Sequence, residues 1–241
     1  MRLKKILKYL MFLLLVVSMG VLYGFSNRKN GQRTVANIQV EFVVGEHQFL
    51  THSMVNKLLI QNDSAVKNQA KSVIDLYSLE QQVLENPYIE KASLYLCIDG
   101  SLKSVIKQRT PIARIIGKSE VYYIDEQGVK MPLSENYSAR VPLVTGIKEE
   151  LKLREVHLLL QKIVTDDFLK KEIIGIHFNP SNECLFTVRS GDYTIDFGQL
   201  KQMDQKFKKL KAFYNKAFLD STIQTYKTIN IKYHNQVVGV K

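Results

Sequence analysis

The chain has 241 residues, of which 45% are hydrophobic, and it carries a formal net charge of +11. That length fits one large or two small domains, and the hydrophobic content is sufficient for packed cores, which excludes global disorder. The first 33 residues hold seven basic and no acidic side chains, which leaves 27 basic and 23 acidic residues in the other 208. The body of the chain is therefore only mildly basic, and its charge does not by itself indicate a nucleic-acid-binding protein.

The N-terminus consists of a basic leader, residues 1–8, and 17 uncharged, mostly apolar residues, 9–25. A helix of that length spans about 25 Å, close to the ~30 Å hydrocarbon core of a bilayer. The pattern favours a retained single-pass anchor with a cytoplasmic N-terminus and a linker over residues 26–33. A cleaved signal peptide ending near Gly24-Phe25-Ser26 and a buried helix are the alternatives.

Residues 34–114 predict a small α+β domain in the order strand, helix, helix, hairpin. A strand is expected over 35–44, a helix over 51–63, and a second helix from a Ser-x-x-Gln capping box at Ser78 to Asn86. Two strands then flank Asp99-Gly100, which is a strong hairpin signal. We expect the two helices to cover one face of a small mixed sheet.

The second strand of this hairpin runs into a charged pair and then Pro111. Proline cannot donate a ladder hydrogen bond, so a strand that continues past one usually lies at a sheet edge or moves from one sheet to another. We interpret this segment, with Gln108, Arg109, Pro111 and Ala113, as the joint between two domains.

Residues 115–225 predict a second, mixed-sheet domain with two helices, and residues 226–241 are its terminal strand and tail. One helix is expected over 149–170 and the other over 199–218, where Phe207, Leu210 and Tyr214 recur on one face. Three strands are expected at 172–178, 184–189 and 193–198. The fold class is therefore α+β.

The sequence lacks recognisable catalytic and metal-binding motifs. Its five histidines show no H-E-x-x-H spacing, and there is no G-x-S-x-G, G-x-G-x-x-G or P-loop. Cys97 and Cys184 lack C-x-x-C spacing, and unpaired thiols are favoured over a bridge or a reactive cysteine. We expect neither an enzyme nor a cofactor.

A lysine-rich stretch in the last predicted helix could serve a partner. Its lysines, which we call the lysine stripe, are Lys206, Lys208, Lys209 and Lys211. A solvated helix face is the main interpretation, and a patch for an acidic partner is the alternative. Nucleic acid is disfavoured because the aromatic platforms that stack on single strands are missing.

Residues 226–238 alternate around Ile229, Ile231 and Tyr233 and predict a terminal strand. Such a strand often lies at a sheet edge, where free N–H and C=O groups either need protection or accept a partner strand. Lys227, Lys232 and His234 would be the protective charges. The candidate partner-binding residues are Tyr226, Ile229, Asn230, Ile231, Lys232, Tyr233, His234 and Asn235.

In their order along the chain, these segments resemble the FtsQ/DivIB family of bacterial cell-division proteins. The family's Glu-Arg-x-Pro-hydrophobic-Ala run falls on residues 108–113, with Gln108 in place of the acid. Its strand, Asp-x-x-Gly turn and strand fall on 121–133, and its last strand falls on 229–233. The resemblance implies an inner-membrane protein with its bulk outside the cytoplasm, in which a POTRA domain precedes a β domain, and which acts at the division septum as a non-enzymatic scaffold.

The same resemblance implies particular partners. FtsB, bound with FtsL, would add a strand to the terminal strand, and the septal peptidoglycan synthase complex is a further candidate. The rival interpretations are another membrane-anchored envelope-assembly or secretion accessory protein with a POTRA-like module, and an envelope hydrolase with an unrecognised site. Binding to purified FtsB–FtsL segments would separate the first two.

Overall fold

A computed structural model describes residues 2–31, 34–35, 37–43, 49–60, 70, 73–147, 153–234 and 236–241 of the chain. The chain divides into two compact units, Met1–Gln108 and Arg109–Lys241. The sequence placed the boundary at residue 114. The division lies earlier because strand β4 (Pro111–Ile116) pairs along its whole length with strands of the second unit.

The first unit begins with helix α1 (Arg2–Gly31), in which Ile6–Gly31 is long and apolar enough to cross a membrane. The sequence predicts that this helix ends at Phe25, but it continues to Gly31, through most of the predicted linker. Residues 32–33 of that linker lie outside the described residues. The segment "SNRKNG" contains no proline, and Arg28 and Lys29 in the last turn interact favourably with the negative end of the helix dipole.

The rest of the first unit is a three-stranded sheet with two helices. Its elements are β1 (Ile38–Phe42), α2 (His52–Ile60), α3 (Leu76–Leu84), β2 (Ile89–Leu96) and β3 (Leu102–Gln108). The strand order is β1-β3-β2, with β1 parallel and β2 antiparallel to β3. This confirms the predicted β-α-α-β-β order of a POTRA domain. Residues 44 and 61–63 of the predicted first strand and helix lie outside the described residues.

Local signals explain one feature of this unit and mislead on another. The hairpin turn forms at Asp99-Gly100, where Gly100 has a φ of +97° and Asp99 accepts hydrogen bonds from the backbone and hydroxyl of Ser101. The predicted capping box at Ser78 is wrong. Helix α3 begins earlier, and its N-cap is Asp75, whose carboxylate accepts the amides of Tyr77 and Ser78.

The second unit is built on a nine-stranded mixed sheet in the order β12-β11-β10-β9-β8-β7-β4-β5-β6. Besides β4, its strands are β5 (Val121–Asp125), β6 (Lys130–Pro132), β7 (Leu143–Thr145), β8 (Ile173–Phe178), β9 (Cys184–Val188), β10 (Thr194–Gly198), β11 (Thr228–Asn230) and β12 (Val238–Val240). The three strands predicted at 172–198 are present almost residue for residue. The two edge strands of this sheet are β12, from the C-terminal segment, and β6.

Three α-helices, rather than the two predicted, are described in the second unit: α4 (Leu153–Val164), α5 (Asp167–Glu172) and α6 (Met203–Leu219). The expected single helix over 149–170 is interrupted because Asp166 leaves the helical conformation and caps α5 through the amides of Phe168 and Leu169. Residues 149–152 lie outside the described residues. Phe207, Leu210 and Tyr214 of α6 are buried, as their spacing predicts.

Candidate partner-binding site

The predicted terminal strand is two short strands joined by a loop. Strand β11 pairs in parallel with β10, and β12 returns antiparallel to the other side of β11. Strand β12 therefore occupies the outer side of β11 at Thr228–Asn230, so this part of the predicted terminal strand has no free edge for a partner. Asn235, one of the predicted partner-binding residues, lies outside the described residues.

Two of the predicted partner-binding side chains, Ile229 and Ile231, do not reach the surface. Ile229 and Ile231 are both 0% exposed and belong to the core of the unit. The Ile231 amide donates to the Asp196 carbonyl at 2.9 Å, so it is used within the sheet. Tyr233, in the loop that follows, is 47% exposed and is the one apolar ring of the predicted set that reaches solvent to this extent.

A polar cluster holds the chain as it leaves β11. Asp196 accepts hydrogen bonds from Asn230 Nδ2 at 3.0 Å and from Lys232 Nζ at 2.9 Å, while Asn230 Oδ1 accepts the Lys232 amide. The hydrogen bond to Asp196 raises the pKa of Lys232 above its ordinary value. Two of the predicted partner-binding side chains, Asn230 and Lys232, thus stabilise the start of the loop between β11 and β12.

The lysine stripe contributes to the same region instead of forming a free patch. Lys206 is buried: its ammonium donates to the carbonyls of Phe197 and Gln199 at 2.9 and 2.7 Å, and burial lowers its pKa. Lys209 donates to the carbonyls of Ile231, Tyr233 and His234.

The other two lysines of the stripe, Lys208 and Lys211, differ in their contacts. Lys211 forms an ion pair with Asp166 at 2.6 Å, whereas Lys208 is exposed. The predicted acidic-partner patch is therefore not a set of four available charges, because three of the ammonium groups already bind oxygen atoms of this unit.

Strand β12 forms the border of the sheet. Tyr226 packs under it: a Cβ at Gly239 would lie 2.4 Å from Tyr226 Cε1, and the ring centroids of Tyr226 and Phe213 are 5.5 Å apart. The Lys227 amide donates to the Val240 carbonyl at 2.7 Å. Tyr226 is thus a support for β12, a role that the sequence did not reveal.

The pairing pattern indicates which groups of β12 point outward. The Lys227 carbonyl and the Ile231 amide bond to β10, so Thr228 and Asn230 between them face β12, and their register partners Val240 and Val238 face β11. Because strand groups alternate between the two sides, the N–H and C=O of Gly239 point away from β11, and those of its second neighbours along an extended chain do the same. In the part of the chain that the structure describes, no strand pairs with this outer side.

The side chains along the same border are apolar. Val238 is 37% exposed and Val240 is 51% exposed, and both lie on the opposite face of β12 from the Tyr226 ring. We call residues 237–241 the C-terminal edge. It combines unpaired backbone groups with apolar side chains, the two features that a strand-adding partner requires.

The predicted joint residues bind within their own units. In the first unit, the Gln108 amide pairs with the backbone of Leu50, accepting its N–H at 3.0 Å and donating to its C=O at 3.3 Å. A carboxylate at 108 could only accept, so glutamine suits this contact better than the acid of the family pattern. In the second unit, Arg109 donates to the buried Asp125 at 2.8 Å.

Pro111 and Ala113 lie in β4 of the second unit. Pro111 opens the strand, where its missing N–H disturbs the ladder least, and the pairing of β4 with β5 shifts register between the two residues. Ala113 is 0% exposed in the core. Each joint residue therefore has a defined place in its own unit.

No arrangement with catalytic chemistry is evident among the described residues. No group of three or more His, Cys, Asp or Glu side chains there could hold a metal ion. Cys184 is buried, which raises the pKa of its thiol, and it forms no disulfide with Cys97. Buried Glu172 accepts hydrogen bonds from Ser190 and Tyr214, and such an enclosed, satisfied cluster fits a structural role.

Comparisons with known proteins are consistent with this architecture. A protein-family model described as FtsQ/DivIB, C-terminal related, matches residues 110–240, more than half of the chain. The chain is 26% identical over 179 residues to "Cell division protein FtsQ" of Geotalea daltonii and 23% identical over 178 residues to the protein of the same name from Rhodothermus marinus. These matches cover 69% and 68% of this chain but 63% and 65% of the relatives, which is less than two thirds of their length.

A solved structure of the major extracytoplasmic domain of the bacterial cell-division protein DivIB from Geobacillus stearothermophilus is also similar. It is 16% identical, covers 48% of this chain and 98% of its own, and superposes with a TM-score of 0.34. The assignment rests on the family match and not on this superposition. From that match, the chain belongs to the FtsQ/DivIB family of cell-division proteins.

Proposed function

We propose that this protein is a membrane-anchored, non-enzymatic scaffold of the division machinery that acts at the septum. Helix α1 is its anchor in the cytoplasmic membrane, with the basic leader on the cytoplasmic side and the sheet-containing parts of both units outside. The chain after the anchor forms two independently folding domains, and their partners are other membrane proteins of the divisome. Membership of the FtsQ/DivIB family and the long apolar helix α1 support this assignment.

The C-terminal edge is proposed to bind FtsB, held with FtsL, by strand addition. The observation that carries the proposal is the outer side of β12, where the groups of Gly239 point away from β11 and where Val238 and Val240 are exposed. An incoming strand would continue the nine-stranded sheet, and each new main-chain hydrogen bond contributes about 1 kcal/mol. Tyr233, exposed in the loop that leads from β11 to β12, would give selectivity.

The test compares prolines on the two sides of β12. Lys241→Pro removes an amide that period-2 geometry directs outward, whereas Val240→Pro removes one that faces β11. The first variant should bind purified FtsB–FtsL segments about fivefold more weakly, the equivalent of one hydrogen bond, without loss of stability. The second should lower the free energy of unfolding. Tyr233→Ala should weaken binding by about 2 kcal/mol if the ring becomes a buried anchor.

Affinities are measured with the full chain in detergent micelles, and each variant is checked by thermal unfolding. Wild-type affinity in a well-folded Lys241→Pro, Tyr233→Ala double variant would place the partner elsewhere. Absence of any binding to FtsB–FtsL by the wild-type protein would favour another envelope-assembly role.

A further inference from the structure

The sheet topology of the first unit places the β2–β3 turn beside the end of α1. Strands β1 and β3 are parallel, so both begin at the same end of the sheet, and the Leu102 amide donates to the Asn37 carbonyl at 2.9 Å. The Thr34 carbonyl oxygen lies 3.4 Å from where a Cβ on Gly100 would stand. Thr34 follows the last residue of α1 by three positions, so Thr34 lies within about 10 Å of the helix end, and the turn lies against Thr34.

The start of α3 lies at the same end of the sheet. Ala70 forms an isolated bridge with Thr34, and the Val73 amide donates to the Ala70 carbonyl at 3.0 Å. Helix α3 then runs antiparallel to β2, with the Leu94 amide 3.5 Å from a carboxylate oxygen of Glu80. The first turn of α3 is therefore level with the last residues of β2, next to the hairpin turn.

Three large apolar side chains stand exposed at this end, where polar ones would be expected on a domain surrounded by water. Val73 is 71% exposed, Tyr77 73% and Ile98 88%. Outside α1, they are the most exposed large hydrophobic side chains among the described residues of the first unit. We call these three residues the apolar cap.

The cap lies at the depth where α1 would leave the bilayer. Ile98 lines one cavity with residues of α1 that run from Leu22 to Asn30, a rise of about 12 Å along the helix axis. That stretch contains the last apolar residues of the span, including Tyr23 and Phe25, and then the basic side chains Arg28 and Lys29. Aromatic and basic residues in this order mark the boundary between hydrocarbon and headgroups.

We propose that the apolar cap inserts into the interfacial zone of the same bilayer that α1 crosses, so that the three-stranded sheet and its helices rest on the membrane surface. Burial of exposed apolar side chains below the headgroups is favourable, and Arg28 and Lys29 attract anionic lipid at the same level. The inference rests on the membrane-anchor part of the proposed function. It does not depend on the C-terminal edge.

The absence of tryptophan from the sequence makes the test direct. Ile98→Trp gives the full chain a sole tryptophan in the cap, and Tyr77→Trp gives an independent second reporter. Met54→Trp is the matched control. Met54 is also exposed, but it lies two residues from His52, whose ring contacts Phe42 at the far end of β1, about 13 Å from Ile38 at the start of that strand.

Each variant is reconstituted in vesicles of phosphatidylethanolamine and phosphatidylglycerol that carry lipids spin-labelled either near the headgroup or near the chain end. We expect the tryptophan emission at 98 and at 77 to shift to the blue relative to position 54. We also expect the label near the headgroup to quench it more strongly than the deep label. Far-UV circular dichroism shows whether each variant is folded.

The anchor is intact if the protein floats with the vesicles and resists alkaline extraction. If tryptophan emission and quenching at positions 98 and 77 then equal those at position 54, the inference is overturned. Extraction of the whole protein by alkali would overturn the anchor and the inference together. A blue shift that needs an added divisome protein would identify a protein surface as the occupant and would also overturn it.

Discussion

Replacing Asp125 with alanine should destabilise the second unit far more than an ordinary substitution does. The Asp125 side chain is 3% exposed and accepts hydrogen bonds from Arg109 at 2.8 Å and from the amides of Gln127 and Val129 at 2.9 and 2.7 Å. Without it, a guanidinium that is 16% exposed loses its counter-charge, and two turn amides lose their acceptor. Breaking one side of a buried ion pair costs about 3–5 kcal/mol, against a typical domain stability of about 5–15 kcal/mol.

The matched control is the ion pair between Glu120 and Lys130 in the same region of the unit. Its atoms are 3.3 Å apart, but its side chains are 60% and 45% exposed, so Glu120→Ala should cost about 0–1 kcal/mol. Both variants are compared by thermal unfolding of the full chain, with hydrogen exchange in β4 and β5 to report on the second unit alone. Equal effects of Asp125→Ala and Glu120→Ala would refute the reasoning.

Gly239→Val should push β12 off the Tyr226 ring and speed hydrogen exchange of the β12 amides, and adding Tyr226→Ala should slow that exchange again. Lys209→Met should cost about 1–3 kcal/mol in urea unfolding, because an ammonium bound to three carbonyls is lost. The hydrogen bond from Lys211 holds the pKa of Asp166 below its ordinary 3.8. The contribution of this ion pair to the free energy of unfolding is therefore complete above pH 3.8, and it is lost as the pH falls through the lower pKa of the folded state. Asp166→Asn should remove this part of the acid dependence of thermal stability.

Each of these expectations has an opposing result. Unchanged exchange in Gly239→Val would mean that the ring does not support β12. A Lys209→Met variant no less stable than the exposed control Lys208→Met would assign the carbonyl contacts no weight. An acid-unfolding profile unaltered by Asp166→Asn would contradict the lowered pKa.

The parts of the fold that local chemistry determines could be predicted from the sequence. Asp99-Gly100 specified the hairpin because the turn needs a positive φ and a side-chain acceptor within two residues. The spacing of Phe207, Leu210 and Tyr214 specified the buried face of α6 for a similar reason, since periodicity depends on the helix alone. The α+β class and the family resemblance followed from the order of such segments.

The errors arose where distant residues determine the conformation. Ile229, Ile231 and Tyr233 alternate as in one strand, but Asp196 and Lys209, both remote in sequence, bind the chain after Asn230 and turn it back as β12. From the sequence, Lys206 is expected to be a surface charge, because its acceptor, the carbonyl of Phe197, lies near the end of β10 and not in the same helix. No local pattern encodes these contacts, so the sequence alone does not predict that β12 forms the edge of the sheet.

Hydrogen exchange along the C-terminal edge tests the central claim most directly. The full chain is compared alone and saturated with purified FtsB–FtsL segments. We expect slower exchange of the outward amides Gly239 and Lys241 in the complex, while the Ile231 amide, already bonded to Asp196, changes little. A saturated complex in which Gly239 and Lys241 exchange as fast as in the free protein would contradict strand addition at this edge.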